Sequence, residues 1–190
     1  HYSIARNALE HDLHVLVEKP LALNSEDALD LVKLADEHDR TLMVGHTFEY
    51  NTAVRTLKEI IDSGELGEIL YIDSVRVNLG LFQPSLNVVW DLAPHDVSIL
   101  HYILGEEPVR VSAHGADSIV RGKHDIAYLN LEFPNSVLAH VRVSWLDPTK
   151  VRRTTVVGSR KMVVYDDMKP MERIKIYDLS LIHISEPTRP

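Results

Sequence analysis

Apolar positions early in the chain recur at helical spacing and alternate with short unbroken apolar runs. Ile4, Ala5, Ala8 and Leu9 define one face of an amphipathic helix. His14-Val15-Leu16-Val17 then reads as a buried parallel strand that stops at Glu18-Lys19-Pro20. Asn24, with Asp27 three residues on, is an N-cap signal, and Ala28, Leu31, Val32 and Ala35 follow at helical spacing. Thr41-Leu42-Met43-Val44-Gly45 reads as a second buried strand, so residues 15–45 make one β-α-β unit with a right-handed crossover expected. A helix capped by Asn51 comes next, with Ala53, Val54, Leu57, Ile60 and Ile61 on one face and Gly64 at its stop.

From residue 67 the period falls to two. In a long strand over 69–79 the odd positions Ile69, Tyr71, Val75, Val77 and Leu79 are apolar. Residues 91–104 read as a helix closed by Gly105, with Val97, Leu100, Ile103 and Leu104 towards a core. Alternating strands follow over 109–113, 127–133 and 137–145, the last two flanking the turn Pro134-Asn135-Ser136. A second hairpin joins 154–157 to 162–165 across Gly158-Ser159. Strands that keep alternating predict an antiparallel sheet with one side covered by helices. The fold class is therefore α/β plus α+β, divided near residue 47.

Composition narrows the function. The 190 residues are 45% hydrophobic and 25% charged, with a formal net charge of −8 and no cysteine. Disulfides, thiolate metal sites and cysteine nucleophiles are excluded. The densest basic group, Lys150, Arg152 and Arg153, is too short for duplex nucleic acid or an anionic membrane. A membrane span needs roughly 18 apolar residues, and the best stretch, 97–104, is interrupted by Ser98, His101 and Tyr102. A cytoplasmic protein is the expectation. The chain begins at His1 without a signal-peptide pattern, and its natural start is expected upstream. Residues 179–190 resemble a translated sequencing adapter, are set aside from the fold and are expected to pack loosely; a natural mixed-polarity tail is the alternative.

Two places could carry chemistry. Lys19 directly follows a parallel strand, and ligands of open α/β sheets sit outside the carboxyl ends of the strands. Pro20 biases Lys19 towards an extended conformation. An ordinary solvated lysine is the commoner occupant of such a position. Asp91 and His95 stand four apart and share one helical face, so the carboxylate can orient the imidazole. Helix N-terminal amides favour neutral imidazole, whereas Asp91 and Asp96 favour its protonated form, which suits general acid/base work near neutrality. An N-cap aspartate beside a half-buried structural histidine is the commoner alternative. His46, Asp91, His95 and His101 offer metal-ligand types without metal-site spacing, so no metal is expected. No two of the eight glycines are separated by a single residue, so G-x-G-x-x-G is absent.

Val15-Leu16-Val17-Glu18-Lys19-Pro20 before a capped helix, then Met43-Val44-Gly45-His46, then Asp91 and His95 about 70 residues beyond the lysine, together resemble the Gfo/Idh/MocA family. The likeness runs from residue 1 to about 178. It implies an NAD(P)-dependent oxidoreductase. Residues 1–47 would be the C-terminal part of a Rossmann-type dinucleotide-binding domain, whose glycine-rich loop belongs upstream of His1. Residues 48–178 would be a substrate-binding and dimerisation domain on a mixed, mostly antiparallel open sheet. The resemblance implies that Lys19 contacts substrate hydroxyl and nicotinamide, with Glu18, Pro20 and His46 at the cofactor edge. It implies His95 as the general base and Asp91 as its partner. Glu49-Tyr50 departs from a frequent Arg-Phe or Arg-Tyr, which removes any contact assumed for that arginine, and Thr52 replaces a frequent proline at a tolerant position. Asn78-Leu79-Gly80 and Val89-Trp90-Asp91 resemble branches acting on sugar nucleotides or related sugars.

The expected activity is oxidation of a secondary hydroxyl of a sugar or sugar derivative, with NAD or NADP as cofactor and homo-oligomers formed through the open sheet. The alternative is a non-catalytic sugar-binding or dimerisation module of the same fold. Without the pyrophosphate loop, these 190 residues by themselves are expected to be inactive.

Overall fold

The computed structural model describes residues 1–80, 83 and 86–179; most of the adapter-like segment, from residue 180 on, lies outside the described residues. The chain forms two compact units, His1–Thr47 and the residues from Phe48 onwards.

In the first unit, α1 (Tyr2–Glu10), β1 (Val15–Val17), α2 (Ser25–Glu37) and β2 (Leu42–Val44) follow in order. β1 and β2 are parallel, with Val15 opposite Leu42 and Val17 opposite Val44. The Asn24 side chain accepts from the Asp27 amide at 2.7 Å and starts α2 as its sequence requires. Ala5, Leu9, Val17, Leu31 and Ala35 make the core. Three apolar residues expected inside stand outside it: Ile4, Leu16 and Val32 are exposed. Both helices pack on the Val17 side of the pair, so among these residues the sheet face carrying Leu16 and Met43 is uncovered.

A 3-10 turn over Thr47–Tyr50 spans the boundary, and the second unit continues with α3 (Thr52–Asp62), whose Asn51 cap accepts from the Ala53 amide at 2.9 Å. Then come β3 (Ile69–Leu79), α4 (Val88–Leu104), β4 (Arg110–Ala116), β5 (Ile126–Glu132), β6 (Leu138–Ser144), β7 (Leu146–Gly158), β8 (Lys161–Asp166) and β9 (Ile174–Asp178). They form a seven-stranded sheet in the order β4-β5-β6-β3-β7-β8-β9. Only the β3–β6 pair is parallel, so the sheet is mixed and mostly antiparallel, as expected. α3 and α4 cover one face, where Val54, Leu57, Ile99, Leu100 and Ile103 meet Leu129, Val141, Val143, Val156 and Val163.

The covered face of β3 differs from the expected one. Ile72, Ser74 and Arg76 lie buried beneath the helices, whereas Tyr71 and Leu79, in the odd apolar series, are exposed. A buried polar set thus occupies the core face, while Val77 of the odd series is itself 1% exposed beside the register shift towards Leu79, and Ile69 packs against the core. β7 also begins eight residues before the expected strand. Asp147 and Pro148 look like a turn, but they fall in a register shift between the Val77–Val151 and Leu79–Leu146 pairs, where proline forfeits no ladder bond.

Candidate functional site

The four expected cofactor-side residues gather at one edge of the first unit. Glu18, Lys19 and Pro20 leave the carboxyl end of β1, and Gly45 and His46 leave the carboxyl end of the adjacent β2. The Gly45 amide donates to the Val17 carbonyl at 2.7 Å and prolongs the pairing to this edge. Glu18 folds over Gly45, its carboxylate 3.3 Å from where a Cβ would stand. Lys19 is half-buried rather than fully solvated, and its peptide to Pro20 is cis. His46 presents a buried Nδ1 that has no partner among the described residues. An edge of this kind, with a half-buried lysine and a histidine at adjacent strand ends, offers polar groups suited to the hydroxyl and amide groups of a nicotinamide nucleoside.

Asp91 and His95 lie on the early turns of α4 in the second unit. The helix starts three residues before the expected Asp91, because Asn87 caps it by accepting from the Trp90 amide at 3.1 Å. Asp91 is therefore inside the helix, not its N-cap, and Pro94 falls within it as well. The Asp91 carboxylate accepts from the Trp145 indole Nε1 at 3.0 Å. Trp145 is almost fully buried at the end of β6, and Gly80 leaves room for it.

His95 is half-buried and meets the Phe48 ring edge-on at 5.1 Å between centroids. Asp96, the next residue on α4, is turned into the core. Its carboxylate is buried and accepts from Arg76 Nε at 2.6 Å and from Ser74 Oγ at 2.8 Å. The carboxylate is thus committed to Arg76 and Ser74. Trp145, Phe48, Arg76 and Ser74 were not singled out in the sequence, because each reaches the site across a long separation. The one sequence signal for Arg76 is its place among the even positions of an alternating strand. Among the described residues no three His, Asp or Glu side chains converge as a metal site.

The arrangement matches known proteins on both units. Residues 1–46 match the NAD-binding Rossmann-fold domain of an oxidoreductase family, and residues 54–164 match the GFO/IDH/MocA C-terminal domain. The chain is 29% identical over 159 residues to a UDP-N-acetylglucosamine 3-dehydrogenase of Acidithiobacillus ferrooxidans, covering 82% of this chain and 49% of that protein. It is 30% identical over 148 residues to a 2,7-anhydro-N-acetylneuraminate hydratase of Escherichia coli, covering 70% and 39%. The fold is shared, at 21% identity and a TM-score of 0.82, with an inositol dehydrogenase homolog of Azotobacter vinelandii crystallised with NADH and myo-inositol, over 93% of this chain and 52% of that one. The chain spans about half the length, or less, of these curated relatives. With a cofactor-domain match on the unit that carries Lys19 and a C-terminal-domain match on the unit that carries His95, the chain belongs to the Gfo/Idh/MocA family of oxidoreductases.

Proposed function

We propose that this chain supplies the nicotinamide-side edge and the base-bearing domain of a dehydrogenase that oxidises a secondary hydroxyl of a sugar or sugar derivative. The observation that carries this reading is the half-buried His95 on α4, one turn beyond an Asp91 whose carboxylate is held by an indole N–H. Bound NAD or NADP supplies the hydride acceptor. Glu18, Lys19, Pro20 and His46 would hold its nicotinamide side, a role supported by their clustering at the strand ends. Lys19 donates to the substrate oxygen and favours the developing negative charge on it. His95 takes the hydroxyl proton as that carbon becomes a carbonyl, and Asp91 orients the imidazole. A cytoplasmic location goes with this reading, since such an enzyme draws on the nicotinamide pool there; among the described residues no helix is long and apolar enough to cross a membrane.

Sugars and sugar nucleotides incubated with NAD or NADP and the full-length protein that carries this chain should produce reduced nicotinamide. Turnover of a sugar with no net change in nicotinamide absorbance would replace the dehydrogenase reading with a redox-neutral one. Binding without any turnover would leave the sugar-binding module.

The partner proposed for the open sheet face is a second copy of the chain. That face exposes Tyr71, Tyr128 and Leu138 beside Asp73, Arg110 and Arg142, and the edge strand β4 is exposed along its whole length. Apolar area mixed with both charge signs supports pairing with itself about a two-fold axis. Light scattering should show Tyr71→Asp/Leu138→Asp dissociating the assembly; a monomeric parent protein would contradict the proposal.

A further inference from the structure

We infer that the buried Arg76–Asp96 pair is a positioning device that fixes the His95 imidazole, with Phe48 as its second support; this rests on the reading of His95 as the base. Asp96 follows His95 directly on α4, and Asp96 and Arg76 are only 2% and 3% exposed. Arg76 Nε–H donates to Asp96 Oδ2 at 2.6 Å, and Nη2 lies 3.5 Å from Oδ1. Ser74 Oγ–H donates to Oδ1 at 2.8 Å and lies 3.1 Å from Thr154 Oγ1. The carboxylate is therefore tied to two residues of β3 and, through Ser74, to β7. A helix tied in this way cannot roll on the sheet, so the direction taken by its neighbour His95 is set.

The same guanidinium reaches His95 by a second route. Arg76 Cζ lies 4.4 Å from the centre of the Phe48 ring, and Phe48 meets the imidazole edge-on at 5.1 Å. Arg76, Asp96, His95 and Phe48 thus close a loop in which the base is held through its backbone on one side and against its ring on the other. Stability alone does not account for such a pair, because a buried ion pair is often matched or exceeded by well-packed apolar residues. Position does account for it. Misplacing a catalytic group by about 1 Å can lower turnover on the order of a hundredfold.

The test is an activity cycle in the full-length protein. Arg76→Met/Asp96→Val replaces the pair by apolar side chains and leaves Ser74 bonded to Thr154. Turnover should fall by roughly 10- to 100-fold, with the sugar KM changed by less than about threefold, because substrate contacts are untouched. The same double substitution made on His95→Ala should cost nothing further, since groups acting through one residue are not additive. Unchanged kcat, or an equal loss on both backgrounds, would overturn the inference. Should the double variant fail to fold, Phe48→Leu removes the ring support alone: its kcat should fall on the parent and not on His95→Ala, and any other pattern overturns the inference. A His95→Ala protein with parental turnover would overturn the underlying reading instead, and the inference with it.

Discussion

A methyl group added at Gly80 strikes the indole that holds Asp91. An ideal Cβ there stands 2.7 Å from Trp145 Cδ1 and 3.2 Å from Cγ. Carbon pairs rest at about 3.5–4.0 Å, so one side must retreat by about 1 Å. The indole is rigid and 1% exposed, and the Gly80 amide is itself bonded to the Trp145 carbonyl at 3.0 Å, so neither side moves freely. Overpacking of this kind costs about 1–3 kcal/mol. An indole that gives way no longer holds its Nε1 at 3.0 Å from Asp91, so this bond is weakened or lost. For a half-exposed carboxylate that loss is about 1 kcal/mol, below the figure for a buried charged partner. The reduced freedom of alanine in the unfolded chain returns about 0.4–1 kcal/mol. Gly80→Ala should therefore destabilise the protein by about 2 kcal/mol, read from the urea midpoint and slope. On a Trp145→Ala background the same substitution should cost less, because Cδ1 and Cγ, the atoms it strikes, are gone. A loss below about 0.5 kcal/mol, the ordinary scatter of neutral surface changes, would mean that the clash with the indole does not form.

Two further perturbations separate the units. Asp96→Ala leaves the Arg76 guanidinium buried without its carboxylate and should cost about 3–5 kcal/mol by denaturation; a loss under about 1 kcal/mol would show that the pair is not desolvated as described. In the first unit, the Tyr2 hydroxyl and the Arg6 guanidinium both bond Asp30 and hold its carboxyl below the usual carboxylate range. A depressed carboxyl contributes stability that is present above its unfolded value and lost as the pH falls through its folded one. Asp30→Asn should therefore flatten the acid loss of stability below about pH 4, and an unchanged acid limb in a pH series of urea midpoints would contradict this.

Local signals in the sequence were strong where the causes were local. Asn24 and Asn51 start their helices because each side chain satisfies a helix amide nearby in sequence. The parallel pair and its edge were legible because two apolar runs end together, at Glu18-Lys19-Pro20 and Gly45-His46. β3 is legible as a strand but not in its face, since Ser74 and Arg76 meet their buried carboxylate partner, Asp96, 22 and 20 residues away. The start of α4 was misplaced because Asp91 resembles a cap while Asn87 performs it. β9 was missed because Ile174–Asp178 is short and follows a charged stretch, and its pairing partner β8 is what makes it a strand. Of the candidate site, position alone marks Lys19, Asp91 and His95 as candidates beside commoner structural readings, and His46 enters through the family resemblance. Trp145 and Phe48 are not legible, because an indole 54 residues from its acceptor and a ring packed on a distant imidazole leave no periodic trace.

The proposed chemistry rests on Lys19 and His95. Its most direct test is the steady-state turnover of the full-length protein and of its Lys19→Ala and His95→Ala variants on a sugar substrate with NAD or NADP. Each variant should stay folded and lose roughly two to four decades in kcat, the contribution of a positioned acid/base group. Turnover near the parent's in both variants would contradict it.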